Sequence, residues 1–218
     1  MICVSIQEPT AEACLALLAR APMAEIRADL CRLSTAELER VVAAHPNLLV
    51  TCRVANSSPA FACEQLTAAI RRGARYVDVE IEASAAVLES VRSCARAHGC
   101  RLIVSYHDFD GTPTLEALEQ TVGTCLDRGA DLVKIVTTAR TTAEAERTLQ
   151  LYDRPCPVPL VAFAMGEAGR YTRIVCLKKG APYTYVAPDN GRATAPGQYT
   201  QSEMEALLAR ESEKTICP

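Results

Sequence analysis

Short apolar runs alternate with amphipathic stretches along the whole chain. The apolar runs are rich in β-branched residues and are bounded by Gly, Pro, Ser or Thr, as is typical of buried strands. This pattern predicts strands at residues 2–6, 23–30, 48–54, 75–81, 101–107, 129–137, 157–164 and 183–186. The stretches between them place apolar residues at helical spacing and predict helices at 10–19, 34–45, 61–72, 84–98, 114–128, 142–152, 165–179 and 200–210.

The regular alternation of strand and helix implies a parallel sheet with right-handed crossovers. Eight such units in 218 residues indicate the α/β class and a compact (β/α)8 TIM barrel, and we expect residues 1–218 to form a single domain. The competing prediction is a doubly wound open sheet. It is disfavoured because no early strand is followed by a glycine-rich phosphate-binding turn.

Polar residues recur at every second position of several predicted strands. They are Glu25, Arg27 and Asp29; Thr51 and Arg53; Asp78 and Glu80; Ser105 and His107; and Lys134. Alternate strand residues point to opposite faces, and both faces of a parallel barrel strand are covered. We therefore predict that these side chains meet inside the barrel or at its carboxyl-terminal mouth, where barrel enzymes hold their active sites.

Lys134 lies in the middle of its apolar run, between Val133 and Ile135. Desolvating an ammonium is costly, so this side chain reaches solvent, pairs with an acid or loses its proton. An amine without its proton is the reactive form in Schiff-base chemistry. His107 would add a base to the same cluster, which suits proton abstraction next to an iminium. The alternative interpretation is a buried ion-pair network without catalytic function.

Composition narrows the functional classes. The net charge is −3 with a pI near 5.7, and the aromatic content is 5% without Trp, so neither nucleic acid nor an anionic membrane is an expected partner. No apolar run approaches the roughly 18 residues of a membrane span. The first residues lack the basic region of a signal peptide, and we expect a cytoplasmic protein.

Cysteine and histidine do not indicate a metal site. The 11 cysteines are scattered without a CxxC pair and lie mostly inside apolar patterns, so we interpret them as reduced side chains that fill the core. The histidines are His45, His98 and His107, and none has the spacing of a zinc ligand. We expect no metal ion.

Seven segments, in order along nearly the whole chain, resemble type I 3-dehydroquinate dehydratase, a Schiff-base-forming enzyme of the shikimate pathway. The segments are 25–29 (EIRAD), 51–53 (TCR), 76–80 (YVDVE), 105–109 (SYHDF) with 112–113 (TP), 130–135 (ADLVKI), 165–166 (MG) with Gly169 and Arg173, and 195–198 (APGQ). Each segment alone is a weak signal, whereas seven in family order are specific.

The resemblance implies a mechanism without a cofactor. In it, Lys134 forms an imine with the C3 ketone of 3-dehydroquinate, and His107 removes a C2 proton and returns it to the departing C1 hydroxyl. The resemblance assigns the ring hydroxyls to Glu25, Arg27 and Arg53, and the neighbourhood of the carboxylate to Arg173 and Gln198. Thr194 is a further expected substrate contact, and Asp78, Glu80 and Met165 are expected to support the residues that touch substrate.

Residues 189–198 have neither a helical nor a strand pattern. The resemblance implies a lid that brings Gln198 over the substrate and excludes water from the imine. The pattern itself is equally typical of an ordinary surface loop.

Three positions depart from the common family pattern. Ser57 stands where many members carry a glutamate that orients the catalytic histidine. Either another acid such as Glu80 takes that role, or His107 is held less firmly. Thr194 and Thr172 stand where serine is common, and both keep the hydroxyl.

Two other functions fit parts of the pattern. A class I aldolase or transaldolase is also a barrel with a strand lysine, but a phosphate-binding glycine turn after the seventh or eighth strand would favour it, and the glycines at 166 and 180 are poor candidates for one. The other is a non-catalytic barrel that binds a polyhydroxy acid as a sensor or scaffold. Family resemblance further suggests a homodimer. Because some relatives are fused to a shikimate dehydrogenase, continuation past Pro218 into a further domain stays open.

Overall fold

The computed structural model describes residues 1–195 and 197–216, with the backbone alone for 211–216. The strands are β1 (Ile2–Ile6), β2 (Ala24–Arg27), β3 (Leu48–Thr51), β4 (Tyr76–Glu80), β5 (Arg101–His107), β6 (Leu132–Thr138), β7 (Leu160–Met165) and β8 (Thr184–Val186). The helices are α1 (Ala11–Leu18), α2 (Thr35–Ala43), α3 (Pro59–Arg71), α4 (Ala85–His98), α5 (Leu115–Asp127), α6 (Thr142–Leu149), α7 (Thr172–Lys178) and α8 (Gln201–Ile216). Pro196 and Pro218, which belong to the predicted lid and the predicted chain end, lie outside the described residues.

The eight strands form one parallel sheet in the order β7-β6-β5-β4-β3-β2-β1-β8. Since β8 pairs with β1, the sheet curls into a barrel and the predicted (β/α)8 fold is confirmed. Within the described chain no ladder joins β7 to β8. Side chains fill this seam instead: the rings of Phe163 and Tyr185 lie 6.0 Å apart, and the Arg173 guanidinium lies 4.3 Å from the Phe163 ring. The barrel is therefore nearly closed rather than fully hydrogen-bonded.

The two faces of the strands carry different clusters of buried residues. Residues such as Ile26, Val77 and Val104 pack outward with helix residues into the larger cluster. The inner cluster fills the barrel and is made of Cys3, Met23, Leu49, Ile103, Leu132, Val136, Val161, Phe163, Met165, Tyr183 and Tyr185. The predicted polar positions share the inner face, and Glu25, Asp78, Ser105 and Lys134 are all buried. The prediction from alternate spacing is thus confirmed for these residues.

Two strands end earlier than the sequence pattern predicts. β2 stops at Arg27 because the chain turns there, and the amides of Leu30 and Cys31 donate to the Arg27 carbonyl. Asp29 therefore lies beyond β2 rather than in it. β3 stops at Thr51, and Arg53 leads into a single 3-10 turn at Val54–Asn56. Both strand ends leave their charged side chains at the mouth of the barrel.

The helices follow the predicted order with shifted ends. The predicted capping box at Ser34 and Glu37 is present and begins α2. The helix predicted at 142–152 ends at Leu149 and continues as a 3-10 segment, Gln150–Asp153. The last helix, α8, extends past the predicted end at residue 210. No helix in the described part of the chain is both long and apolar enough to cross a bilayer.

Candidate active site

A cavity opens at the carboxyl-terminal end of the strands. Its lining combines charged, aromatic and amide side chains from both halves of the barrel. The lining residues are Glu25, Arg27, Arg53, His107, Phe109, Lys134, Val136, Phe163, Met165, Arg173, Tyr185, Thr194, Ala195 and Gln198. Nine of the eleven residues that the sequence proposed for the site are in this lining, and the other two, Asp78 and Glu80, contact members of it.

Lys134 lies deep in this cavity and is only 4% exposed. Its Nζ donates to Asp78 Oδ2 at 2.9 Å and lies 3.6 Å from Glu25 Oε1. The same nitrogen lies 4.4 Å from the centre of the Tyr185 ring, a cation–π contact. The ammonium is therefore paired and buried, as the alternation of β6 predicts.

The two carboxylates beside Lys134 are each held by hydroxyl groups from neighbouring strands. Ser5 and Thr51 donate to the two oxygens of Glu25, the latter at 2.8 Å, and Ser105 donates to Asp78 Oδ1 at 2.5 Å. Burial by itself would raise the pKa of Glu25. Attraction to Lys134 and Arg27 and the two hydroxyl hydrogen bonds outweigh it and lower that pKa below its usual value. Glu25 is thus ionised and fixed in place.

Arg27 and Arg53 differ in how fully they are neutralised. Arg27 forms a two-point contact with Asp29, at 3.0 Å from Nε and 2.6 Å from Nη2, and Asn56 donates to the same carboxylate at 2.7 Å. Arg53 has only a 3.8 Å approach of its Nε to Glu80. Burial raises the pKa of Glu80 despite the opposing pull of Arg53. Arg53 is therefore the less firmly paired of the two cations.

Arg173 is a buried cation in the seam between β7 and β8, and it is 1% exposed. Its Nη1 lies 3.5 Å from the Tyr185 carbonyl oxygen, and its Nε has no hydrogen-bond partner among the described residues. No acidic side chain in that part of the chain pairs with it. Desolvation lowers the pKa of Arg173 to about 10. A site with this much uncompensated positive charge is suited to an anionic group.

His107 is the last residue of β5 and lies one inward-facing position nearer the mouth than Ser105, which pairs in register with Lys134. Burial, followed by repulsion from Lys134, Arg53 and Arg27, holds the pKa of His107 well below its ordinary value of 6.5. The imidazole is therefore neutral near neutral pH and available as a base.

Glu80 does not hold His107. Its carboxylate oxygens lie near Arg53 and accept the Val54 amide at 3.2 Å. Ser57, at the other candidate position, donates its hydroxyl to the Arg53 carbonyl at 2.8 Å. The sequence left two alternatives open, an acid such as Glu80 in the orienting role or a less firmly held His107. The contacts of the described residues favour the second, because Glu80 is occupied by the chain just after β3.

The described residues of the segment 189–198 border the mouth of the barrel, where Thr194, Ala195 and Gln198 line the cavity. The Gln198 side-chain oxygen accepts the amides of Thr194 at 2.9 Å and Ala195 at 3.3 Å, so this side chain closes its own turn. Gln7 donates to the Ala193 carbonyl at 2.8 Å, which ties the segment to the chain after β1. Thr194 and Gln198 both face the cavity. The sequence pattern alone did not distinguish a segment over the substrate from an ordinary surface loop.

Among the contributors to the site that the sequence did not reveal, three contact its charged or titratable residues. Ser5 anchors Glu25, Tyr185 covers Lys134, and Phe109 stacks on His107. Ser5 and Tyr185 stand two residues after the inward-facing Cys3 and Tyr183, so the alternation used for β2 to β6 would have found both. Phe109 follows the end of β5, where alternation no longer applies.

Metal coordination has no candidate site among residues 1–195 and 197–216. No group of three or more His, Cys, Asp or Glu side chains there is arranged to hold an ion.

The chain matches the family model described as type I 3-dehydroquinase over residues 2–215. It is 35% identical over 221 residues to 3-dehydroquinate dehydratase of Desulfotalea psychrophila, in an alignment covering 96% of this chain and 97% of that protein. The chain belongs to the type I 3-dehydroquinase family. The resemblance inferred from seven segments is thereby confirmed.

Two further relatives show the fold and the range of the type I 3-dehydroquinase family. A crystal structure of the Clostridium difficile type I 3-dehydroquinate dehydratase with covalently modified comenic acid has a TM-score of 0.85 at 22% identity, covering 98% of this chain and 92% of that one. The chloroplastic bifunctional 3-dehydroquinate dehydratase/shikimate dehydrogenase of Arabidopsis thaliana is 34% identical over 139 residues, which is 64% of this chain and 23% of that protein. Fused members of the family therefore exist.

Proposed function

We propose that this chain dehydrates 3-dehydroquinate to 3-dehydroshikimate through a Schiff base on Lys134. The observation that carries the proposal is a buried amine and a neutral imidazole that line one cavity together with three arginines. Family membership supports the same substrate. The covalent ligand named for the Clostridium difficile relative is in keeping with an imine-forming site.

Imine formation would begin with Lys134. Its amine attacks the C3 ketone and transfers a proton, for which the Asp78 carboxylate offers an acceptor at 2.9 Å. Loss of water from this adduct leaves an iminium, which withdraws electrons from the neighbouring C2 carbon and makes its proton acidic. The ring of Tyr185 and the carboxylate of Glu25 would stabilise this cation as they stabilise the ammonium.

His107 would carry out the proton transfers. As a neutral imidazole it can take the C2 proton and then give it to the C1 hydroxyl, which leaves as water. Hydrolysis of the resulting imine consumes the one water released when it formed, so the net reaction loses one water. Arg27, Arg53 and Glu25 would hold the ring hydroxyls.

The substrate carboxylate is assigned to Arg173, with Thr194 and Gln198 beside it. Of the three arginines, Arg173 is the one without an acidic partner in the described structure. The substrate carboxylate would provide that partner. The planar guanidinium can donate to both carboxylate oxygens. Met165 contributes apolar lining to the same wall.

The test is incubation with 3-dehydroquinate and sodium borohydride, followed by mass spectrometry of peptides containing Lys134. The proposal expects a reduced adduct on Lys134 and formation of the conjugated product in the absence of borohydride. Lys134→Ala should give neither. Turnover of 3-dehydroquinate by Lys134→Ala would contradict the Schiff-base route.

The same experiment separates the rival functions. A sensor or scaffold would bind 3-dehydroquinate without an adduct, and an aldolase would cleave a carbon–carbon bond in its substrate instead of losing water. A role in the shikimate pathway, a cytoplasmic location, a homodimer and fusion to a shikimate dehydrogenase stay predictions.

A further inference from the structure

In the part of the chain that the structure describes, no hydrogen bond to Nδ1 fixes the orientation of the His107 imidazole. Its Nδ1 is inaccessible to solvent and has no hydrogen-bond partner among the described residues. In most sites a hydrogen bond to one ring nitrogen orients a catalytic histidine and presents the other nitrogen to the substrate. The χ2 torsion of histidine is broad, so an unbonded ring is otherwise free to tilt. Some other contact must therefore hold this ring.

Three polar side chains that could orient His107 are committed elsewhere. Glu80 accepts from Val54 and approaches Arg53, and Ser57 donates to a backbone carbonyl. Asp108 accepts the amides of Asp110 and Gly111, at 2.9 and 2.8 Å. None of these groups donates to or accepts from the imidazole.

Phe109 makes an aromatic contact with His107. Its ring lies 6.1 Å from the His107 ring, centre to centre, with an interplanar angle of only 13°. The Arg53 guanidinium lies 5.6 Å from the centre of the same phenyl ring. Although Phe109 is apolar, it is 60% exposed, so burial in the core does not explain its presence.

The loop that carries Phe109 is fixed on both sides of it. The Asp108 side chain closes a turn by accepting from Asp110 and Gly111. Thr138, at the end of β6, donates its hydroxyl to the Asp108 carbonyl at 2.9 Å and its amide to the Gly111 carbonyl at 2.9 Å. An exposed phenyl ring on a restrained loop can serve as a rigid surface for a neighbouring ring.

We propose that Phe109 is the positioning residue for His107, holding the plane of the imidazole by stacking where no hydrogen bond does so. The proposal rests on the proposed dehydratase function and adds a residue that acts through His107 rather than on substrate. Arg53 lies on the phenyl ring and limits its rotation. An aromatic ring at position 109 is therefore required, whereas its polarity is not.

The kinetic test compares Phe109→Ala, Phe109→Leu and Phe109→Tyr with the unaltered chain. Misplacing a catalytic group by about 1 Å can cost up to about a hundredfold in rate, so we expect kcat to fall about 10- to 100-fold in the Ala and Leu variants while KM changes less than about threefold. Phe109→Tyr keeps a planar ring and should stay within about threefold of the unaltered kcat. Borohydride trapping on Lys134 should continue in every variant.

Phe61→Ala is the matched control, because Phe61 is a second exposed phenylalanine, 37% exposed on α3 and outside the cavity lining. It should leave kcat and KM unchanged. An unaltered kcat in Phe109→Ala, a rise confined to KM, or a Phe109→Tyr variant as slow as Phe109→Ala would each overturn the proposal.

A second readout requires no substrate and separates this proposal from the proposed function. In proton NMR spectra the ring of Phe109 should shift the His107 carbon-bound protons upfield, with His107→Ala used for assignment among the three histidines. The shift should persist in Phe109→Tyr and disappear in Phe109→Ala and Phe109→Leu. Identical His107 resonances in all variants would overturn the stacking role, whereas failure of the unaltered chain to turn over 3-dehydroquinate would overturn the function alone.

Discussion

The buried carboxylates of Glu25 and Asp78 share one cation, the ammonium of Lys134. The two carboxylates are buried with side-chain exposures of 5% and 1%, and Lys134 is the cation between them. Removing one member of a buried charge set leaves the others uncompensated. The lysine proposed for catalysis is therefore also a structural residue.

Lys134→Ala should lose turnover and also about 3–5 kcal/mol of unfolding free energy at pH 8, the usual cost of leaving buried charge unpaired. In the intact protein the folded-state pKa of Glu25 is lowered, so its contribution to stability is present above the unfolded-state pKa and is lost as the pH falls. Without Lys134 the two carboxylates repel each other, and protonation relieves the strain. Urea unfolding should thus show a smaller deficit at pH 5 than at pH 8.

The control is the double variant Lys134→Ala with Asp78→Asn, which removes one of the two opposing charges. It should recover part of the stability at pH 8 and none of the activity. Equal unfolding free energies for Lys134→Ala and the unaltered chain at pH 8 would show that Glu25 and Asp78 do not depend on the Lys134 ammonium.

His107 gives a prediction for pH dependence. Its folded-state pKa lies well below 6.5, so the ring stays neutral as the pH falls through 6.5. The rate of elimination from a preformed imine, measured in single turnovers, should be flat from pH 8 to pH 6.5 and fall only below that. The unfolded chain takes up its proton first, so stability should also decline below pH 6.5.

His107→Ala should lose most of the elimination rate, and the remaining rate should no longer fall below pH 6.5. Borohydride should still trap the imine in this variant. If the elimination rate of the unaltered chain were half lost at or above pH 6.5, burial and the neighbouring cations would not be lowering the pKa of His107.

At the scale of elements, the segment over the barrel mouth meets the chain after β7 at a pair of glycines. Gly197 has φ +72°, and a Cβ there would lie 3.3 Å from the Gly166 carbonyl oxygen. Gly166 itself has φ +81° and approaches the Ala139 carbonyl. The close approach places the Gln198 turn against the cavity.

Gly197→Ala should lower kcat/KM about tenfold, because the added methyl group displaces the turn that carries Gln198. Left-handed backbone at a non-glycine residue costs about 1–2 kcal/mol by itself. Gly99→Ala is the matched control: Gly99 has φ +69° after α4, and a Cβ there meets nothing within 4 Å. Both variants should show the same loss in thermal unfolding, and only Gly197→Ala should lose activity. Equal activities would show that the loop contact is not needed.

Sequence reasoning succeeded where a residue lies inside a regular element. The alternation along β2, β4, β5 and β6 was sufficient to predict that Glu25, Asp78, Ser105 and Lys134 share one face. It failed where the strand had ended, because Asp29 and Arg53 are placed by turns and ion pairs and not by strand geometry. The partner choice of Glu80 likewise depends on where the chain after β3 folds back. The contact between the Val54 amide and Glu80 joins residues 26 apart in sequence, and no local pattern encodes it.

At the scale of the whole molecule, the barrel is completed by side chains between β7 and β8, and Arg173 occupies this position with its charge uncompensated. Burying a polar group without its full set of partners costs about 1–3 kcal/mol by mutational estimates. Arg173→Met should therefore raise the unfolding free energy by about that amount while raising KM for 3-dehydroquinate about 100-fold, through loss of the charge-assisted contact.

Arg27→Met provides the contrast, since Arg27 is also buried but is paired with Asp29. It should destabilise the chain by about 3–5 kcal/mol, because Asp29 would lose its cation. Thermal and urea unfolding of both variants measure whether the unfolding free energy rises, as expected for Arg173→Met, or falls, as expected for Arg27→Met. Destabilisation by Arg173→Met would show that the guanidinium supports the seam rather than straining it.

Since no ladder joins β7 to β8 in the described chain, local opening of the barrel should occur between these two strands. Opening any other pair of neighbouring strands breaks ladder hydrogen bonds. In the described chain, parting β7 and β8 breaks no ladder and disturbs the side-chain contacts of Phe163, Tyr185 and Arg173. The seam between β7 and β8 is thus the weakest strand boundary of the barrel, and it lies beside Arg173, which is proposed to bind the substrate carboxylate. A ligand that bridges this line would act as a clasp, and amide hydrogens of β8 should exchange more slowly when it is bound.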